Sequence, residues 1–284
     1  MASVWFRWLT SNTATESVSS DHWADEVRAR CRDEQAALDQ SRQERDTAAS
    51  RAAVLGMSIK AVLHHARLSR GSGGEQTAPV QDEADLDVVS ACYQVHASRL
   101  QLMAALNAQE RIDQLSDLIR GRAEAGMGVD QDKPVVQAMR REIHDSVFQA
   151  MADWRTAGRH LTRCAKILPS QLRQDVQWPS ALATVRWSGI SRSTGHLLRE
   201  AQTHYWECRA LLDIARGQYE NARRERVDLE NAFAMGSGVG ARVGLALMAE
   251  RAHYAALVET EAMHAIALFR LNYLVLGSVE SALA

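Results

Sequence analysis

The stretch Ala215 to Gly277, ARGQYENARRERVDLENAFAMGSGVGARVGLALMAERAHYAALVETEAMHAIALFRLNYLVLG, decides how the rest of the chain is read. Its first part continues a series that starts upstream: Leu198, Ala201, Tyr205, Cys208, Leu212, Ala215, Tyr219, Ala222, Arg226, Leu229, Phe233. The steps alternate between three and four and only the arginine interrupts the apolar run, which predicts one long heptad helix. Gly236-Ser237-Gly238 then breaks the pattern, and a second apolar helix of similar length follows. Helix, glycine turn and helix make an α-hairpin.

The first half of the chain repeats this plan. After Pro134 the series Val136, Met139, Ile143, Ser146, Ala150, Trp154, Ala157, Leu161, Cys164, Leu168 again steps by three and four, and the proline suits a first helical turn, where no donor is lost. Laying Gly126-x-Gly128-Val129 over Gly236-x-Gly238-Val239, an offset of 110, aligns the two turns and superposes Leu161 on Leu271. Tyr93 and Tyr205 lie at similar distances upstream. A duplicated hairpin follows, each copy needing the other, or another chain, to cover its remaining apolar face. Helices are expected over 20–68, 84–125, 133–168, 193–235 and 241–278. The organisation then reads as a disordered segment 1–19, an N-terminal helix 20–68, a Gly/Ser/Pro linker 69–83, a first hairpin 84–168, an inter-repeat segment 169–192, a second hairpin 193–278 and a tail 279–284. The fold class is all-α and elongated, since helices of ~40 residues span roughly 60 Å.

Composition narrows the function. Lys+Arg total 33 and Asp+Glu 35, so no global field attracts nucleic acid, and none is expected as a partner. Arg242 and Arg270 interrupt the most apolar stretches, so no transmembrane helix is expected. Residues 1–20 lack the continuous apolar run of a secretory signal. Cys31, Cys92, Cys164 and Cys208 form no C-x-x-C pair, which argues against a zinc site or disulfide framework. Cys31, Cys164 and Cys208 fall on apolar seams and read as small buried hydrophobes.

The quoted stretch resembles the C-terminal repeat of TolC-type outer-membrane efflux channels, and Ile119 to Pro169 is similar to the N-terminal copy in that family. The resemblance covers 84–168 and 193–278. It implies a homo-trimer whose hairpins pack side by side into a hollow helical cylinder, with tips that meet a periplasmic adaptor protein. Carried over by residue, Gly126, Gly128, Gly236 and Gly238 match the tips, and Asp130 and Asp132 lie where acidic entrance residues belong. Arg242 and Gly244 stand where the second copy often carries aspartates. The family also supplies four barrel strands per subunit. Here only Pro169 to Arg192 separates the repeats, room for one strand at Ala181 to Trp187, so a direct membrane-spanning role does not follow.

Enzyme chemistry finds little support. Glu250-x-x-His253 and Glu261-x-x-His264 match the pair used in di-iron bundles, but both lie on one helix about 16 Å apart and do not share a metal pair within one chain. His64-His65, as adjacent helical residues, point to different sides. Gly236-Ser237-Gly238-Val239-Gly240 follows a helix and lacks the Lys-Ser/Thr of a phosphate loop. No catalytic residue, cofactor or metal is expected. Arg226, the one charge on a seam, either snorkels outward, pairs with an acid, or faces a lumen. Trp154 reads as core, while Trp178 and Trp187 flank the inter-repeat segment. Two readings remain: a TolC-like helical component of an efflux or secretion system, or a cytosolic coiled-coil scaffold. The resemblance favours the periplasm or outer membrane; the missing signal and the cysteines favour the cytoplasm.

Overall fold

A seam that is apolar on one face must be covered along its length, and that requirement sets the packing. The computed structural model describes residues 56–70, 78–126, 131–174, 176, 178–179, 192–236, 238–276 and 282, all within one unit, Leu55–Ala284. Five helices occur there: α1 (Ile59–Arg70), α2 (Ala78–Glu124), α3 (Asp132–Ala165), α4 (Arg192–Ala234) and α5 (Gly240–Leu276), with a single 3-10 turn at Pro169–Gln171. The fold is all-α. Among the described residues the only β-type pairing is an isolated parallel bridge between Met57 and Leu172.

Helices α2 and α3 form one hairpin, α4 and α5 the other, and α5 joins the two by packing on α2 and α3 as well as on α4. The sequence explains this asymmetry. On α4 the buried positions are the heptad seam: Leu198, Ala201, Tyr205, Cys208, Leu212, Ala215, Ala222, Arg226 and Phe233. One stripe serves one partner. On α5, apolar residues run almost all round the helix, from Val243, Ala246 and Leu247 to Leu268, Phe269 and Leu271, so several faces are buried at once. A helix apolar on all sides belongs in the middle of a layer.

The end away from the tips is a separate core. Val62, Leu63 and Ala66 of α1 meet Val88, Val89 and Cys92 of α2, Leu161 and Ala165 of α3, and Phe269 of α5. Asp85, fully buried, takes two guanidinium partners from α1: Arg67 at 2.7 Å and Arg70 at 2.5 Å. His65 reaches the last carbonyl of α3, Ala165 O, at 3.2 Å. The chain leaving α3 is pinned by Met57, whose N–H donates to Gln171 O and whose carbonyl accepts from Arg173 N–H. Trp178 stacks on Tyr93, centroids 5.7 Å apart, and meets His96 edge-on, so it packs on α2.

Several expectations shift. Helix α2 begins at Ala78, so residues 78–83 of the expected linker are helical, and Pro79 lies in the first turn, where its missing N–H costs nothing. Helix α3 stops at Ala165 because Lys166 turns left-handed at φ 57°, its N–H returning to Thr162 O, and Leu168 is left 58% exposed rather than on the seam. The α3 seam also drifts. Its buried residues past Ile143 are Val147, Gly158, Leu161 and Ala165, while Ser146, Ala150, Trp154 and Cys164 are half-buried. The eleven-residue step from Val147 to Gly158 follows a nearly straight helix, whereas a strict heptad demands supercoiling. Of the expected N-terminal helix 20–68, residues 56–68 are described, and the helix there starts only at Ile59, because Met57 pairs with Leu172 instead; segment 1–19, Cys31 and the strand expected at Ala181 to Trp187 lie outside the described residues.

Candidate functional site

Both hairpins turn on the same backbone device. Gly126 has φ +75° and Gly236 φ +81°, the left-handed region where an L side chain is strained. The Gly126 N–H donates to Ala123 O at 3.0 Å and the Gly236 N–H to Phe233 O at 3.0 Å; one residue earlier, Ala125 and Met235 close onto Gly121 O and Asn231 O. The offset of 110 read from the sequence thus recurs in dihedral angle and hydrogen bonding. Gly238 is required for another reason: a Cβ there would lie 2.6 Å from the backbone nitrogen of Phe233. Gly128 and Asp130 lie outside the described residues.

The two tips are tied together at one end of the unit, and the ties match the helix dipoles. Asp132, in the first turn of α3, accepts the Gly240 N–H at 2.7 Å, placing a carboxylate on the positive start of α5. Arg122, near the end of α2, donates to Phe233 O at 2.9 Å, placing a cation on the negative end of α4, and its guanidinium lies 4.0 Å from the centre of the Phe233 ring. Gly240 allows this approach, since a Cβ there would come within 2.6 Å of Ile119 Cδ1. Asp132, which the resemblance places among acidic entrance residues, caps the neighbouring hairpin. Gly244, standing where the resemblance implies an aspartate, gives Met139 Sδ room against α5. Beside these ties, Met235 and Val239 are exposed, 79% and 50%.

Near the tip end of α4, about two turns before Ala234, Arg226 is buried on the seam. It pairs with Glu230 one turn on and with Glu250 of α5, and Arg111 of α2 reaches Glu230 at 3.6 Å. Of the three readings the sequence left open for Arg226, pairing with acids is observed. The pairs edge a cavity of about 440 Å³ between α2, α4 and α5, lined among others by Arg111, Arg223, Arg226, Arg251 and Glu250. Burial lowers the Arg251 guanidinium from its usual value, partly offset by Glu142, and its Nε has no hydrogen-bond partner among the described residues. The arrangement is an ionic latch with surplus positive charge.

The same contacts account for the Glu-x-x-His pairs. Glu250 is held by Arg226, and Glu261 lies 3.5 Å from Arg216. His264 is buried against the Tyr205 ring, centroids 5.2 Å apart. Cys92, Cys164 and Cys208 are free thiols. Burial pushes Cys92 up to about 12, with a further contribution from Cys164, and burial also raises Cys208, so neither is a ready nucleophile at neutral pH. Sequence reasoning missed Arg122, whose role depends on a contact between hairpins that no local spacing reports. It also passed over His160, four residues before Cys164 on one helix face and therefore visible in principle.

No family model, curated protein or solved structure matches this chain.

Proposed function

We propose that the chain is a non-enzymatic, TolC-like helical component of an efflux or secretion system, forming part of an oligomeric conduit or of its assembly. The observation that carries this reading is the pair of equivalent glycine turns, Gly126 and Gly236, bound side by side through Asp132 and Arg122. The second tip, tied to the first, presents exposed Met235 and Val239, which suits docking by an adaptor protein. The open layer of helices suits assembly with further copies. Helix α4 packs on α5 and has no comparable packing with another helix among the described residues, while Trp206, Leu211 and Ile214 stay more than half exposed. No helix among the described residues is long and apolar enough to cross a membrane. Light scattering on the full chain tests the reading: a trimer with strongly helical circular dichroism is expected, and a stable monomer rules out the hollow cylinder.

A second reading, a cytosolic coiled-coil scaffold whose exposed α4 face takes partner helices, is favoured by the three free thiols in the described residues. Cell fractionation of the tagged protein separates the two: recovery in the soluble cytoplasm with reduced thiols supports the scaffold and excludes export.

A further inference from the structure

We infer that Asp87 of α2 and His160 and Cys164 of α3 form a binding site for a zinc-like divalent cation, independent of the conduit reading. Their ligand atoms, a carboxylate oxygen, an imidazole nitrogen and the thiol sulfur, all lie within 4.8 Å of one another, and His160 Nε2 is 3.3 Å from Asp87 Oδ1. A tetrahedral zinc ion with ligands at about 2.0–2.3 Å needs donor atoms separated by less than this maximum, so a modest closure of side chains completes three corners. The spacing on α3 supplies the geometry: residues four apart share one helix face, and α2 packs against that face to bring the carboxylate.

The donor set selects the ion. A thiolate and an imidazole disfavour magnesium and calcium, which require oxygen ligands, and suit zinc or cobalt(II). Charge also balances. On binding, the Cys164 thiol releases its proton to solvent, and one thiolate, one carboxylate and a neutral imidazole then neutralise a divalent ion. Without the ion, the same three groups bring a carboxylate and a thiol into one cluster with nothing between them to balance two potential anions. An entry path exists, because Asp87 and His160 are partly exposed and His160 lies on a groove between α2, α3 and α5. The fourth position is left to water.

The test is cobalt(II) titration of the reduced full chain, with zinc displacement. One equivalent per chain is expected, with a near-ultraviolet thiolate-to-cobalt charge-transfer band and the intense visible bands of a tetrahedral site. Cys164→Ser should abolish the charge-transfer band. His160→Ala, at a half-buried position, should weaken binding by more than about 10-fold, since loss of a direct ligand exceeds the usual effect of outer-shell changes. Unchanged far-ultraviolet circular dichroism certifies each variant; if Cys164→Ser does not fold, His160→Ala and Asp87→Asn decide alone. Binding without the charge-transfer band, or affinity that both His160→Ala and Asp87→Asn leave intact, would overturn the site.

Discussion

The two hairpins turn on superposable glycines yet occupy different places in the fold. The first is anchored on several sides: α2 carries α1 through the Asp85 ion cluster and α5 along its flank, and α3 shares the core at the far end. The second is lopsided. Helix α5 is buried by three neighbours, whereas α4 rests on α5 along a single seam. The two turns share one backbone form; the side chains placed around each helix decide which hairpin is core and which is edge. Helix α4 depends on one partner helix, and a polar residue within that single seam therefore matters more than one elsewhere.

Removing the latch should weaken the α4 edge most. Arg226→Met leaves Glu250, nearly buried, facing an apolar neighbour, and a destabilisation of about 3–5 kcal/mol is expected from denaturant unfolding. Adding Glu250→Leu should recover most of the loss, because replacing both members of a buried pair removes the uncompensated charge. A loss below about 1 kcal/mol for Arg226→Met would show that the pair behaves as an exposed one.

At the glycine turns the two hairpins should respond alike, and more weakly. Gly126→Ala and Gly236→Ala should each cost about 1 kcal/mol, and equally, since both turns hold the same left-handed dihedral and neither has a neighbour within 4 Å of an added methyl. Gly238→Ala should exceed both, because there the methyl meets backbone rather than a movable side chain. Unequal costs at Gly126 and Gly236 would show that the two tips are equivalent in backbone form only.

How far these features were legible depends on whether the signal is local. The α4 seam, the paired glycines and the place of Pro134 in a first turn come from periodicity and dihedral preference, which neighbouring residues in the chain determine. The partner of Asp132 was not legible, because the Gly240 N–H that it caps is 108 residues away and the same carboxylate suits a pore mouth equally well. Arg122 failed for the same reason, since its partner lies on the other hairpin, whereas His160 shares a helix face with Cys164 and only its neighbour Asp87 on α2 was out of reach of local spacing. The drift of the α3 seam was hidden by small residues. Ser146 and Val147, or Ala157 and Gly158, satisfy a three-four pattern almost equally, and only packing against α2 and α5 selects between them.

The smallest expected effect concerns two buried histidines, one on each hairpin. His264 of α5 is held below its ordinary value by burial first and by Arg209 and Arg216 next, against an opposing pull from Asp213, and its Nε2 has no hydrogen-bond partner among the described residues. His96 of α2, beside Trp178, is lowered by burial and then by Arg99. In the unfolded chain each imidazole takes up a proton near pH 6.5, whereas in the native chain uptake is delayed to lower pH. Between those two values the unfolded state binds more protons, so stability falls as pH drops below about 6.5 and is unaffected by these groups well above it. His264→Gln and His96→Gln should each flatten the acid limb of a stability against pH curve, judged by its slope rather than its height, since loss of packing lowers the whole curve. The contacts of the two sites are separate: His264 lies against Tyr205 on α4, and His96 against Trp178 beyond α3. The slopes should therefore add in the double variant. A slope removed entirely by one variant would place the acid sensitivity of the molecule on that hairpin alone.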